Sequence, residues 1–232
     1  MSDKVLGIIG GMGPEATVDL MTKIIRATPA KIEQEHIRVL VDNNPHIPPR
    51  VEAIMGDGEN PGPVMAEMAR NLEKGGADFL VIACNTAHYW YSDAQNAVEI
   101  PVLNMIEEAV KVLKKDSFKN VMLFATLATI HTKLYEKALN EAGINLLLPD
   151  QPHQEKVLKA IKDVKFGNFI EARSVTKELV QHALDQGAEA LILGCTELPF
   201  AFNNPQDFPI AFYDPAEIIA KIIVDKAYTP KI

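Results

Sequence analysis

The sequence predicts an α/β fold of two pseudo-symmetric domains, each a mostly parallel sheet flanked by helices, with the functional site in the cleft between the domains. Three observations predict it. Strand-like apolar runs alternate with helical patterns, two segments of the chain repeat each other, and each repeated segment carries one of the only two cysteines. Alternation of strands and helices is typical of a parallel sheet covered by helices.

Eight short apolar runs are expected to form the strands. They lie at residues 5–9, 39–42, 79–83, 102–103, 121–125, 144–148, 191–193 and 210–212. Helical patterns are expected at residues 14–28, 61–74, 130–142, 154–161, 168–186 and 215–227. This order of elements indicates two rounds of βαβ units.

The clearest repeat aligns residues 76–86 with residues 187–197, without a gap, at an offset of 111 residues. In each copy an apolar run ends in a cysteine, Cys84 or Cys195, which is followed at once by Asn or Thr. A buried strand would deliver a thiol to the start of a helix in this way. The two halves of the chain therefore place two equivalent thiols.

Two further matches occur in the same order and indicate a duplicated architecture. Residues 4–9 resemble residues 120–125, and residues 100–102 resemble residues 208–210. We expect a first domain of residues 1–101 plus 213–232, with a returning C-terminal helix, and a second domain of residues 102–212.

Composition excludes several classes of protein. The 232 residues are 47% hydrophobic and 23% charged, which is ordinary for a globular enzyme. A formal charge of −8 argues against a nucleic-acid or anionic-membrane surface. No apolar run is long enough for a membrane span or a signal-peptide core. Two cysteines without a secretory signal predict a cytoplasmic location, where thiols stay reduced.

A single cysteine at the end of an apolar strand is more often structural than functional, but the repeat favours function for both. The helix expected after each cysteine has N-terminal amides that lower a thiol pKa. A disulfide stays possible. The sequence has no Cys-x-x-Cys, and its six histidines show no metal-ligand spacing, so no metal is expected. His88 either tunes Cys84, one turn away, or is a partly exposed helix residue.

The segment Gly11-x-Gly13-x-x-Ala16 after the first strand fits a dinucleotide fingerprint. Glu15 would place a carboxylate where a pyrophosphate should bind, so we interpret the segment as a loop that closely approaches a small carboxylate. Arg50 and Lys165 have loop-like neighbours, and Arg50 follows a strand end. Polar side chains that either face a ligand or cap helices are Asn85, Thr86, Thr126 and Thr196.

Three separated motifs resemble the aspartate/glutamate racemase family, and specifically its aspartate racemase branch. They are Gly-Gly-Met-Gly-Pro-Glu-Ala-Thr at residues 10–17, Ala-Cys-Asn-Thr at residues 83–86, and Gly-Cys-Thr-Glu-Leu-Pro at residues 194–199. Residues 42–45, Arg50 and residues 164–168 also resemble that branch, and the likeness spans nearly the whole chain. The resemblance implies an isomerase that needs neither pyridoxal phosphate nor another cofactor.

The resemblance also implies roles for residues. Cys84 and Cys195 would flank the substrate α-carbon, one thiolate removing the α-proton and the opposite thiol returning one. Arg50 and Lys165 would bind the distal carboxylate of the substrate. The α-carboxylate and ammonium groups would be held by Met12, Gly13, Asn85, Thr86, Thr126 and Thr196. A homodimer is implied as well.

Departures from glutamate racemases favour aspartate as the substrate. Those enzymes carry Asp-Ser after the first strand and His after the second cysteine, where this chain has Gly10-Gly11 and Glu197. Racemisation of glutamate stays open, as does the role of Glu197. A hydantoin racemase, a maleate isomerase or an arylmalonate decarboxylase on the same scaffold also stays open, as does a non-catalytic, two-lobed small-molecule binding protein.

Overall fold

Two parallel four-stranded sheets form the framework of the protein, and the computed structural model describes residues 4–228. The strands of the first sheet are β1 (Leu6–Gly10), β2 (Val39–Asn43), β3 (Phe79–Ile82) and β4 (Val102–Leu103). Those of the second are β5 (Asn120–Phe124), β6 (Asn145–Leu147), β7 (Ala190–Leu193) and β8 (Ala211–Tyr213). The predicted α/β class with two parallel sheets is confirmed.

Twelve α-helices accompany the strands within the described residues. They are α1 (Pro14–Ala27), α2 (Arg50–Met55), α3 (Gly62–Lys74), α4 (Tyr91–Gln95), α5 (Met105–Lys115), α6 (Leu127–His131), α7 (Leu134–Ala142), α8 (Gln151–Lys165), α9 (Phe169–Ser174), α10 (Thr176–Asp185), α11 (Leu198–Ala201) and α12 (Pro215–Tyr228). Short 3₁₀-helices lie at Glu33–Glu35, Thr86–Trp90 and Pro205–Asp207. From residue 4 to residue 228, every helix is too short or too polar to cross a lipid bilayer.

Contacts divide the chain into two units. Among the described residues, the first unit holds residues 4–105 and 216–228, and the second holds Ile106–Pro215. The sequence predicts boundaries after residues 101 and 212, and the structure has them after residues 105 and 215. Residues 1–3 and 229–232 of the expected first domain lie outside the part that the structure describes.

Both sheets have the same strand order, β2-β1-β3-β4 in the first unit and β6-β5-β7-β8 in the second. Alternate residues of each strand enter different apolar clusters. In the first unit, Ile8 and Val81 pack with α12, whereas Ile9 and Ile82 pack with α3. Strands covered on both faces need continuous apolar runs, which explains why the strand pattern is so clear in the sequence.

The repeated segment forms the same local structure in both units. Gly76 and Gly187, with φ of +95° and +79°, end α3 and α10 in a left-handed turn that closes a Schellman motif. Two residues later, the Asp78 carboxylate accepts a hydrogen bond from the Val5 amide at 2.7 Å. The equivalent Glu189 carboxylate accepts from the Asn120 amide at 2.8 Å. Each acid thus fixes the central strand beside β3 or β7.

Three of the predicted helices differ from the structure by more than one residue. The pattern at residues 130–142 is divided between two helices, α6 and α7, because the left-handed backbone of Lys133 (φ 54°) interrupts the helix. The pattern at residues 168–186 is also divided, into α9 and α10, on either side of Val175. Helix α8 is longer than predicted at both ends, since Asp150 caps its first turn by accepting from the His153 amide.

Candidate active site

Cys84 lies two residues beyond β3, at the carboxyl edge of the first sheet. The Ala83 amide extends the ladder by donating to the Ile9 carbonyl at 3.0 Å. Cys84 is buried in one apolar cluster with Met12 and Ile47, from the loops that follow β1 and β2. Three successive strand ends therefore contribute to its surroundings.

His88 fixes the main chain of Cys84, and an effect of the ring on the Cys84 thiol stays a prediction. Its Nδ1–H donates to the Cys84 carbonyl at 2.8 Å, while its Nε2 accepts from the Met105 amide at 3.1 Å. The ring is therefore neutral, with its proton on Nδ1. It is only 3% exposed, and burial lowers the pKa of His88 to about 4. The expectation of a partly exposed residue is wrong, because the ring spans two backbone groups in the core.

The glycine-rich loop after β1 approaches backbone closely. Gly11 has φ of +92°, and a Cβ there would stand 2.2 Å from the Asn44 carbonyl oxygen of the loop after β2. The Gly11 amide donates to the Thr17 hydroxyl at 2.9 Å. Met12 is buried, and Gly13 is the N-cap residue of α1. The close approach seen here is to the neighbouring loop, and a carboxylate ligand for this segment stays a prediction.

Arg50 is the first residue of α2, so its predicted loop context is wrong. Pro49 occupies the N-cap, where a missing amide proton costs nothing, and the prolines therefore mark a helix start instead of a turn. The Arg50 guanidinium donates to the carbonyls of Ile47 and Pro48 at 3.2 and 3.1 Å. These two bonds orient the cation beside the residues that surround Cys84.

Asn85 and Thr86 follow Cys84 directly and are both buried. Asn85 is the N-cap residue of the 3₁₀-helix Thr86–Trp90, but its side chain makes no capping hydrogen bond there. The helix-capping interpretation is therefore wrong for Asn85. Binding of substrate by either residue stays a prediction.

Cys195 lies two residues beyond β7, the position equivalent to Cys84, and it too is buried. Its thiol donates to the Glu197 carboxylate, with Sγ 2.9 Å from Oε2. The Thr196 hydroxyl donates to the same oxygen at 3.2 Å. Burial first, and then the neighbouring Glu197, raise the pKa of Cys195 well above its usual range. The Glu197 amide at the start of α11 lowers this pKa, as the sequence predicts, but burial and the Glu197 carboxylate outweigh it.

Lys165 is the last residue of α8, so its predicted loop context is also wrong. Gly167 (φ 76°) and the Asn168 amide, which donates to the Asp163 carbonyl at 2.8 Å, close the helix. The Lys165 ammonium lies 3.8 Å from Glu197 Oε1, and its side chain is 53% exposed. Among the predicted residues, the structure therefore brings Lys165, Cys195 and Thr196 together around Glu197.

Thr126 follows β5 and caps α6, accepting a hydrogen bond from the Thr129 amide at 3.2 Å. The capping interpretation from the sequence is confirmed, and a contact with substrate stays a prediction. Sequence reasoning missed Tyr135 in α7. Its phenol is fully buried, and the pKa of Tyr135 is raised by burial and by the charges of Asp214 and Cys195. Nothing in the local pattern distinguishes this tyrosine from an ordinary core residue.

A second polar cluster in the second unit joins Asp150, His153 and His182, whose possible ligand atoms all lie within 4.8 Å of one another. The sequence does not reveal it, because His182 comes from α10 and the other two from the start of α8. The imidazole rings stack with centroids 3.7 Å apart and planes 10° apart. Nitrogen lone pairs lie in the ring plane, so two stacked rings place them in separate parallel planes, and the arrangement as it stands does not converge on an ion.

The family model of the Asp/Glu/hydantoin racemases matches residues 9–223, which include both cysteines and every strand except the first three residues of β1. The chain belongs to this family. The resemblance predicted from the three motifs is therefore confirmed, and the two parallel sheets flanked by helices match the two-domain racemase fold.

Individual relatives agree with this assignment. An aspartate racemase from Picrophilus torridus is 36% identical, with a TM-score of 0.87 over 97% of this chain and 94% of its own. An aspartate racemase homologue from Pyrococcus horikoshii is 26% identical, with a TM-score of 0.80 over 99% of this chain and 100% of its own. The broad specificity amino-acid racemase RacX of Bacillus subtilis is 27% identical over 95% of this chain and 96% of its own.

Proposed function

We propose that this racemase-family protein interconverts L- and D-aspartate without a cofactor, with Cys84 and Cys195 as its acid and base. The observation that carries the proposal is the equivalence of the two thiols. Each follows the third strand of a four-stranded parallel sheet, and both sheets have the same strand order. Family membership and 36% identity to an aspartate racemase support it.

Racemisation needs one group to remove the α-proton and another to return a proton to the opposite face. In the proposed step, one cysteine thiolate forms an S–H bond with that proton, and the electron pair of the broken C–H bond stays on the substrate. The other cysteine gives its thiol proton to the opposite face of the α-carbon and is left as a thiolate. Thiols suit this exchange because their ordinary pKa, about 8.5, allows both forms near neutral pH.

The carbanion must be stabilised by the protein, since an amino-acid α-proton is very weakly acidic. Hydrogen-bond donors aimed at the α-carboxylate are worth most where water is excluded. We assign this task to the residues at the strand ends beside the thiols. They are Met12, Gly13, Asn85, Thr86, Thr126 and Thr196.

Arg50 and Lys165 are assigned to the distal carboxylate. The Arg50 guanidinium is already oriented by two backbone carbonyls, and a planar guanidinium matches a carboxylate in two-point contact. Lys165 is more than half exposed, so its ammonium can exchange Glu197 for a substrate carboxylate. Aspartate is the first choice of substrate, and glutamate is the second because a relative has broad specificity.

Two features of the biological unit belong to the same proposal. We assign a homodimer, which the family resemblance implies. We also assign a cytoplasmic location, because the chemistry needs both cysteines reduced and a reducing compartment keeps them so.

The test uses purified protein without added cofactor, incubated with L-aspartate or D-aspartate and followed by chiral chromatography. We expect conversion in both directions, and a loss of about 10²- to 10⁴-fold in C84A and in C195A, the range for removal of an acid or a base. Aspartate binding by calorimetry in the same variants controls for damage to the fold. Full activity in either variant would refute the cysteine pair.

Parallel reactions with glutamate, hydantoins and maleate distinguish aspartate racemisation from the related activities. If the protein converts neither aspartate nor glutamate but does convert one of the other compounds, the activity on that compound would replace aspartate racemisation as its function. Binding of aspartate without any chemical conversion would favour a non-catalytic binding protein.

A further inference from the structure

The Glu197 carboxylate is buried against the Cys195 thiol. Its Oε2 atom accepts from the Cys195 thiol at 2.9 Å and from the Thr196 hydroxyl at 3.2 Å. Glu197 is only 8% exposed, and Cys195 only 7%. A buried carboxylate that accepts a thiol proton stabilises the thiol, because ionisation of the sulfur would place two negative charges in contact.

The remaining charged or titratable groups near Cys195 in the second unit do not cancel this effect. The Lys165 ammonium lies 3.8 Å from Oε1, the carboxylate oxygen that does not accept the thiol proton, and its exposed side chain is screened by solvent. The Tyr135 phenol is buried nearby. It is neutral, because burial and the charges of Asp214 and Cys195 raise the pKa of Tyr135. Glu197 therefore dominates the charge that Cys195 meets.

We propose that Glu197 is a positioning residue that holds Cys195 as the thiol in the resting enzyme, so that Cys195 begins as the acid and Cys84 as the base. This inference rests on the proposed function. The raised pKa of Cys195 agrees with it, although burial alone is the larger cause of that shift.

The inference makes the two half-reactions unequal. In the resting form, the Cys84 thiolate takes the α-proton of one enantiomer, and the Cys195 S–H bond breaks to give its proton to the opposite face. Turnover then leaves Cys195 as a thiolate beside the Glu197 carboxylate. This unfavourable form either accepts the other enantiomer or exchanges protons with water to restore the resting form. Because the enantiomers have equal free energy, the asymmetry alters kcat and KM while kcat/KM stays equal for both.

The test measures the ionisation of Cys195 without any turnover. In the C84A variant, Cys195 is the only cysteine, and the ultraviolet absorbance of its thiolate is followed against pH. We expect the pKa in C84A/E197Q to be lower than in C84A by about one unit or more, since a like charge is removed. Because no catalysis is required, the result is independent of whether aspartate is the substrate.

Glu189→Gln is the matched control. Glu189 stands just before β7 and Cys195 just after it, so the same substitution is made at the opposite end of one strand. The pKa of Cys195 in C84A/E189Q should equal that in C84A. Should C84A/E197Q not fold, C84A/E197D carries the test, because a carboxylate withdrawn by one methylene lowers the pKa part of the way. An unchanged or higher pKa in the folded Glu197 variant overturns the proposal.

Discussion

Two residues after each cysteine, the two copies of the repeat differ in chemical character: the first copy has Thr86 where the second has Glu197. Two residues further on, His88 in the first copy is matched by Pro199 in the second. His88 contacts the backbone of its cysteine, whereas Glu197 contacts the thiol itself. The equivalent scaffold therefore holds two thiols in different electrostatic surroundings.

His88 makes the stability of the protein depend on pH. The folded ring is neutral with a pKa of about 4, whereas an unfolded histidine has a pKa near 6.5. Between these values the unfolded chain binds more protons, so the stability is fully present above pH 6.5 and is lost as the pH falls toward 4. The loss from this residue between pH 7 and pH 5 should be about 2 kcal/mol.

Urea unfolding at pH 7 and pH 5 measures this loss against His88→Gln, which keeps a donor and an acceptor but does not titrate. The wild type should lose about 2 kcal/mol more than the variant between the two pH values. Equal losses would show that the folded His88 ring takes up a proton as readily as an unfolded histidine, contrary to its assigned bonds.

At the scale of elements, the loop after β1 offers a comparison between two glycines with nearly the same φ. Gly11 (φ +92°) has the Asn44 carbonyl in the way of a Cβ, whereas a Cβ at Gly76 (φ +95°) meets nothing within 4 Å. Gly76→Ala should cost roughly 1–2 kcal/mol for its left-handed backbone alone. Gly11→Ala should cost about 2 kcal/mol more, because backbone must move to admit the methyl group.

Chemical denaturation of the two variants measures that difference. Equal costs would mean that the loops after β1 and β2 have room to separate. The pairing of Gly11 with Asn44 would then not fix the part of the site that holds Met12 and Gly13.

The strands were predictable because a parallel strand covered on both faces is apolar at nearly every position, as Phe79 to Ile82 shows. The contexts of Arg50 and Lys165 were not. Pro48-Pro49 and Gly167-Asn168 are typical of turns, but here the first pair precedes a helix and the second follows one. Only the periodicity of the flanking apolar residues distinguishes a helix end from a turn. His88 contacts Cys84, and Glu197 contacts Cys195, within four residues of sequence, but these contacts depend on how each buried side chain is oriented, and spacing does not reveal orientation.

At the scale of the whole molecule, the segments that align at an offset of 111 residues form equivalent parts of two similar units. Strands β3 and β7 begin and end 111 residues apart, each is preceded by a Schellman turn and an acid that fixes the central strand, and each is followed by a cysteine. Membership of the Asp/Glu/hydantoin racemase family gives this repeat a chemical meaning. Under the proposed function, the two matched thiols would act on opposite faces of one α-carbon.

The most direct test of the paired-cysteine chemistry follows deuterium during the first turnovers of L-aspartate in heavy water. Separate bases require that the D-aspartate formed carries deuterium at the α-carbon while the remaining L-aspartate stays protiated, because each thiol exchanges its proton with solvent and acts on one face. Mass spectrometry of the separated enantiomers measures both pools. Deuterium entering the remaining L-aspartate as fast as the product would indicate a single base serving both faces and would contradict the account.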